Sequence, residues 1–207
     1  MLAMNRRGHT REDIFRSARL LKERGFETGL QMMTGLYGSN DEDSIGTARD
    51  IISLSPDTAR IYPTVVIENT ELAELYRNGE YRPQTPEEAA VLCAKILPMF
   101  ERAGIKVIRL GLHSGGDVEG SFVAGAYHPA LREMCEGHIY FDIINRALSG
   151  KEKGKYIIYV APREVSKASG QRRCNIEKLR ELGYECRIKE NAALSARDIT
   201  LEKVNLL

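Results

Sequence analysis

The sequence predicts an α/β fold built on a parallel sheet or barrel, followed by a small α+β subdomain. Three observations predict it. Apolar, β-branched runs recur at Phe26 to Met33, Ala59 to Ile67 and Ile105 to Leu112, and strands buried on both faces read as such continuous runs. Helical periodicity separates them in the order helix, strand, helix, strand, helix, strand. After a glycine-rich stretch the alternation restarts on a smaller scale in the tail.

The first helix opens on Thr10-Arg11-Glu12-Asp13, a capping box with aspartate in place of glutamate, places Ile14, Ala18 and Leu21 on one face, and stops at Gly25. Phe26 to Met33 is a buried strand that runs into the turn-rich loop Thr34 to Asp41. A helix with Ile45, Ala48, Ile51 and Ile52 follows and ends near Ser55-Pro56. In the second run Pro63 must stand at an edge or a strand end, because proline cannot donate to a ladder. Asn69 or Thr70 starts a short helix through Leu72, Leu75 and Tyr76, closed by Gly79.

Thr85-Pro86-Glu87-Glu88 combines a cap, a proline at the first helical position and a glutamate at the third. That helix runs to about Ala103, with a kink or break expected at Pro98. The third strand ends at a loop with Gly111, Gly115, Gly116, Gly120 and Gly125, whose spacing reads as a flexible linker rather than a phosphate cradle. A helical stretch from His128-Pro129-Ala130-Leu131 to Ala147-Leu148 leads to the tail. The tail has a strand from Lys155 to Val160, a helix from Cys174 to Leu182 and a strand from Tyr184 to Lys189. The expected division is 1–149 and 150–207, at Ser149-Gly150. Three parallel strands alone leave an open edge, which predicts a homo-oligomer.

With 207 residues, 30 basic and 29 acidic side chains and 43% hydrophobic content, the chain is neither collagen-like, disordered nor a disulfide scaffold. Its near-zero net charge excludes a surface wholly given to nucleic acid. Residues 1–150 carry 17 basic and 21 acidic side chains, and 151–207 carry 13 and 8. A basic tail on an acidic body hints at a polyanionic partner, although a solvated lysine-rich surface is the commoner meaning of such a balance. No signal sequence and no apolar run of ~20 residues are present, so no membrane partner and a cytoplasmic location are expected. Cys93, Cys135, Cys174 and Cys186 lie 42, 39 and 12 apart, which is neither a disulfide framework nor a metal pair. His9, His113, His128 and His138 have no metal-ligand spacing, and no metal site is predicted.

No nucleophile elbow, Walker loop or dinucleotide fingerprint is present, so the catalytic residues stay unknown. Two segments are more specific. Gly29-Leu30-Gln31-Met32-Met33-Thr34-Gly35-Leu36-Tyr37-Gly38 is a strand ending in a double-glycine loop, followed by Asp41, Glu42 and Asp43. Ligands of parallel α/β folds sit beyond strand carboxyl ends, and Gly35 and Gly38 let backbone approach a flat ligand. The second segment is Arg60 to Thr70, followed by Leu72, Tyr76, Gly79, Tyr81, Pro83 and Thr85.

With Asn5-Arg6-Arg7-Gly8-His9-Thr10, these segments resemble the later half of the radical S-adenosylmethionine domain of the Elongator catalytic subunit and its bacterial relatives. The family pattern runs N-R-G-H-T, then M-M-x-G-L-x-G, then K/R-I-Y-P-T-x-V-I-x-x-T with G-x-Y-x-x-x-T-x-E-E. The chain follows it between Asn5 and Glu88, with an extra arginine at Arg6-Arg7 and Tyr37 where the family usually has proline. It is more distantly similar to oxygen-independent coproporphyrinogen oxidases. The resemblance implies a partial parallel (β/α) barrel, a TIM-like fragment, with S-adenosylmethionine and a 4Fe-4S cluster at the strand carboxyl ends. It implies that Met33, Gly35, Tyr62 and Pro63 line the cofactor or substrate site. Arg60 and Arg109, embedded in apolar strands, are expected as inward-facing charges that need an anionic partner such as a carboxylate or phosphate.

The chain departs from the family where the cluster is concerned, because C-x-x-x-C-x-x-C is absent and thiolates hold such clusters. The expectation is a truncated radical S-adenosylmethionine protein whose parent performs 5′-deoxyadenosyl-radical chemistry on a tRNA or small-molecule substrate. Alone, the chain is expected to bind neither cofactor nor cluster stably. A coproporphyrinogen-oxidase-like protein and a non-catalytic RNA- or partner-binding module are the alternatives. In the tail, Arg172 and Arg173 precede a helix and are candidate anion ligands.

Overall fold

Thr10 caps the first helix, α1 (Arg11–Glu23): its side chain accepts from the Asp13 N–H, and the Asp13 carboxylate accepts from the Thr10 N–H. The same reciprocal box opens α2 (Asp41–Ser53) with Asn40 and Asp43, and α4 (Pro86–Arg102) with Thr85 and Glu88. Between them lies α3 (Glu71–Arg77), capped by Thr70. The strands are β1 (Gly29–Thr34), β2 (Thr58–Pro63), β3 (Val65–Ile67), β4 (Lys106–Leu110) and β5 (Phe122–Gly125). The computed structural model describes residues 2–112 and 120–204; His113, Gly115 and Gly116 of the glycine-rich loop lie outside them. The chain divides into two compact units, Met1–Leu131 and Arg132–Leu207, whereas the charge balance changes sign later, near Ser149-Gly150.

In the first unit β1, β2 and β4 form a parallel sheet in the order β1-β2-β4, while β3 and β5 pair antiparallel as a separate ribbon. The fold is α/β with a parallel sheet and, among the described residues, no closed barrel. Met32 and Thr34, Ala59, Ile61 and Pro63, Val107 and Leu110 are buried, and α2 and α4 pack against these strands. Ile96, Leu97 and Phe100 of α4 are fully enclosed, each contributing roughly 1.5–3 kcal/mol of apolar burial.

Three expectations need correction. The run Ala59 to Ile67 is two strands, because β2 ends its parallel pairing at Pro63 and Val65 to Ile67 pairs antiparallel with β5 instead. Between them the Thr64 N–H and hydroxyl both donate to the Thr34 carbonyl, at 2.9 and 2.7 Å. Helix α4 continues through Pro98 to Arg102 as one element. Leu21 is 46% exposed and Phe26 62% exposed rather than buried, since β1 begins only at Gly29.

The second unit contains α5 (Leu131–Leu148), β6 (Gly154–Val160), α6 (Val165–Ser169), α7 (Cys174–Glu181), β7 (Tyr184–Glu190) and β8 (Ile199–Lys203). Strand β6 is central, parallel to β7 and antiparallel to β8; β8 has no counterpart in the sequence reading. Tyr140, Ile144 and Leu148 of α5 join Tyr156, Ile158, Val160, Ala168, Leu179, Tyr184 and Cys186 in one core. A charged network is buried beside it. Glu136 meets Arg197 at 2.7 Å, and Arg132 and Lys167 at 3.5 and 3.9 Å. The Tyr140 hydroxyl donates to Glu164 at 2.8 Å.

Candidate functional site

Alternation along the strands decides which side chains meet. With Met32, Thr34, Ala59 and Ile61 committed to the helix side, Gln31, Met33, Arg60 and Tyr62 project from the opposite face. Register then aligns them across the sheet: Gln31 pairs with Arg60 and Arg60 with Arg109, and one step nearer the carboxyl ends Met33 pairs with Tyr62. Four of the candidate residues, Met33, Arg60, Tyr62 and Arg109, therefore stand in two adjacent rows. Arg60 is exposed and Arg109 half-buried, so Arg60 is not the buried arginine expected of an apolar strand. Among the described residues, no acidic side chain pairs with either. Two adjacent guanidinium groups with no counter-charge among the described residues are suited to an anion arriving from outside.

Pro63 falls on the other side of β2 and is buried. It shapes the end of the strand instead of facing a ligand. Gly35 and Gly38 both have left-handed backbone, with φ of 68° and 72°. The Tyr81 hydroxyl donates to the Gly35 carbonyl at 2.6 Å, and burial pushes its pKa up to about 12. A Cβ on Gly35 would stand 2.7 Å from Gln84 Oε1, and one on Gly38 2.5 Å from the Met4 methyl.

The N-terminal motif folds onto the same place. Asn5 donates to the Tyr37 carbonyl at 2.9 Å, and the Arg7 guanidinium donates to the Met33 sulfur at 3.0 Å. A cavity of about 620 Å³ opens beside this loop, lined by Gly35, Tyr37, Asn40, Tyr81, Gln84 and Glu88 among others. Hydrogen bonds from the Thr85 N–H and from Arg82 hold Glu88 below the usual carboxylate range. With Asp41, Glu80 and Glu87 also in the lining, the cavity is anionic and the open sheet face beside it is cationic. Gln31 and Arg7 stand beside these residues and lie within the sequence motifs, but were not singled out as candidates. Period-two spacing from Met33 would have found Gln31; the reach of Arg7 to Met33 depends on the fold.

In the second unit Arg172 and Arg173 occupy a short 3₁₀ turn before α7, both exposed and both left-handed, with φ of 52° and 63°. The four cysteines sit apart on α4, α5, α7 and β7. Burial raises the Cys93 thiol to about 12 and the Cys186 thiol to about 11. Cys135 is also buried, and Cys174 is exposed. No three His, Cys, Asp or Glu among the described residues could hold a metal ion together. The donor set of this chain does not fit an iron–sulfur cluster, which needs several convergent thiolates. No helix among the described residues is long and apolar enough to cross a membrane.

Comparison with known proteins fits these motifs. Residues 56–140 match the Radical_SAM C-terminal domain family. The chain is 36% identical over 108 residues to a tRNA uridine(34) acetyltransferase of Methanocaldococcus jannaschii, covering 49% of the chain and 20% of that protein. It is 33% identical over 102 residues to Elongator complex protein 3 of Homo sapiens, covering 45% of the chain and 18% of that protein. A tRNA uridine(34) acetyltransferase of Dehalococcoides mccartyi is 29% identical over 133 residues, covering 61% of the chain and 27% of that protein. The chain thus spans about a fifth to a quarter of the length of these relatives. It is related to the radical S-adenosylmethionine superfamily and resembles the later half of that domain in the Elongator catalytic subunit and its bacterial relatives.

Proposed function

We propose that this chain forms the later, substrate-side part of a radical S-adenosylmethionine domain acting on tRNA in the cytoplasm. The observation that carries this reading is the uncovered sheet face, where Met33 and Tyr62 stand beside Arg60 and Arg109 at the carboxyl ends of parallel strands. Parallel sheets are ordinarily covered on both faces, and a parallel (β/α) barrel turns one face of every strand to its lumen. The three strands are accordingly read as a barrel segment whose inner face is this one. The relatives' names supply the substrate class, tRNA.

The residues divide the work by chemistry. Met33, Tyr62 and the loop at Gly35 offer a largely apolar, flat-ligand surface for the adenosyl end of the cofactor, with Pro63 holding the strand end from behind. The anionic cavity favours the cationic end of such a ligand. Arg60 and Arg109 hold a phosphate or carboxylate of the substrate. The cysteines of this chain, apart on four elements, do not fit a cluster. In this reading, cluster-binding cysteines lie outside these residues.

The test is crosslinking. A tRNA carrying 4-thiouridine at position 34, irradiated with the chain, should mark peptides spanning 29–36, 58–64 or 106–112. Arg60→Gln with Arg109→Gln should reduce that signal severalfold, and absence of crosslinks on all three peptides sinks the reading. Anaerobic reconstitution with iron and sulfide should leave no stable cluster on this chain, and a stable visible-absorbing cluster would overturn the assignment of its cysteines. The outer edges of β1 and β4 in the three-stranded order favour pairing with a second copy. Sedimentation velocity at micromolar concentration should then show species larger than the monomer.

A further inference from the structure

We propose that the second unit binds the backbone of single-stranded RNA in a basic groove formed by the loop Gly170-Gln171-Arg172-Arg173, helix α7 and edge strand β7. The inference stands on the second unit alone and does not need the cofactor reading of the first. The topology is strand β6, helix α6, this loop, helix α7, then the parallel strand β7. One common RNA-binding module clamps backbone nucleotides with a four-residue loop that begins and ends in glycine. Here the loop begins with Gly170, at φ 75°, and ends with Arg173, whose φ of 63° is also left-handed. Arginine stands here where glycine would sit without strain, and it adds a charge to the loop.

The loop is held firmly. A Cβ on Gly170 would come 2.7 Å from the Cys174 sulfur and 2.8 Å from the Asn175 side chain. Asn175 is buried and donates to the carbonyls of Gly137 and Ala168 at 2.8 and 3.1 Å. Next to the loop lies a groove of about 650 Å³ with half-buried Ile157 and Ile176 in its lining. Its charges are Lys155, Arg173, Arg180, Arg187 and Lys189, against the single acid Glu185. Lys155 pairs with Glu185 at 3.4 Å, and Arg180 pairs with Glu177. Among the described residues no acid pairs with Arg173, Arg187 or Lys189, nor with Arg172 beside them. The uncompensated charge is positive and runs along a groove, the arrangement that tracks a phosphate backbone, and the aliphatic lining offers bases apolar contact.

The experiment is fluorescence anisotropy of a short labelled oligouridine with the full chain, across salt from about 50 to 200 mM. Arg172→Gly with Arg173→Gly removes two charges while keeping the left-handed backbone. Arg187→Gln with Lys189→Gln removes two from the exposed side of an edge strand and carries the test should the first pair unfold. Each pair should weaken binding about tenfold, and should reduce the slope of log K against log salt by roughly 1.4, at about 0.7 per single-strand phosphate contact. Arg102→Ala, in the first unit, should leave both quantities unchanged. The proposal is overturned by no binding at about 50 mM salt, by equal affinity of both paired variants, by tighter binding of duplex RNA, or by equal binding of an acidic polyglutamate peptide. Because no cofactor is present and the probe is not tRNA, failure here leaves the crosslinking result for the first unit standing, and the reverse also holds.

Discussion

Both units are built on a three-stranded sheet, yet only one of them buries a cluster of charges. The second unit encloses that cluster. Glu136, 5% exposed, is ringed by Arg197, Lys167 and Arg132, and Glu164 takes hydrogen bonds from Tyr140 and Lys167. The first unit leaves Arg60 and Arg109 side by side on a bare face that also exposes 43% of Ile108. An ionic cluster whose partners are all enclosed needs nothing from outside, whereas like charges presented beside apolar surface, on this face and again along the β7 groove of the second unit, are shaped for something else to cover them.

The largest expected effect tests the enclosed network. Arg197→Ala strands the buried Glu136 carboxylate and should destabilise the second unit by about 3 kcal/mol, the low end for a broken buried pair because Lys167 and Arg132 remain nearby. Chemical denaturation followed at the second unit measures it, and a loss near zero would mean that the network is not what closes this interior. Next comes Gly35→Ala, which forces alanine into a left-handed backbone at about 1–2 kcal/mol. Hydrogen exchange should show the loss confined to the loop after β1. A loss spread through β1, β2 and β4 would make Gly35 part of the core instead of the rim.

Thr10→Ala should remove about 1 kcal/mol by ending the capping box. The opening should stay local, because Ala18 is the buried residue of α1. The smallest effect is on pH. Burial works to raise the pKa of Glu164, but hydrogen bonds from Lys167 and Tyr140 outweigh it, and the group ends below the ordinary value. A carboxyl with a depressed folded pKa contributes stability that is present above its unfolded pKa, about 4.3, and is lost as pH falls through the folded value. Glu164→Gln should flatten that acid limb of an unfolding-versus-pH curve; an unchanged limb would show that other carboxylates carry it.

Much of the first unit was legible because its cues are local. Thr85-Pro86-Glu87-Glu88 specifies a helix start from four neighbouring residues, and the three apolar runs mark the parallel strands. What stayed hidden depends on distant partners. The break at Thr64 follows from a change of partner, Val65 to Ile67 pairing with the distant β5, and β8 reads as a polar tail until β6 supplies its ladder. The same holds for the candidate site. Met33 and Tyr62 were found as motif residues, but their adjacency, and that of Arg60 with Arg109, follows from register across strands. Gln31 is unremarkable as a residue and enters the site only because it lies two before Met33 and opposite Arg60.

Thr64 has a mechanical consequence. By giving both its N–H and its hydroxyl to the one carbonyl of Thr34, it stitches the ends of β1 and β2 together at the point where each strand gives way to its loop. The rim on which Gly35 and Tyr62 stand is thereby cross-braced, and the spacing between those two residues is set when the chain folds. A ligand that spans them meets a gauge of fixed width, and selects itself by length.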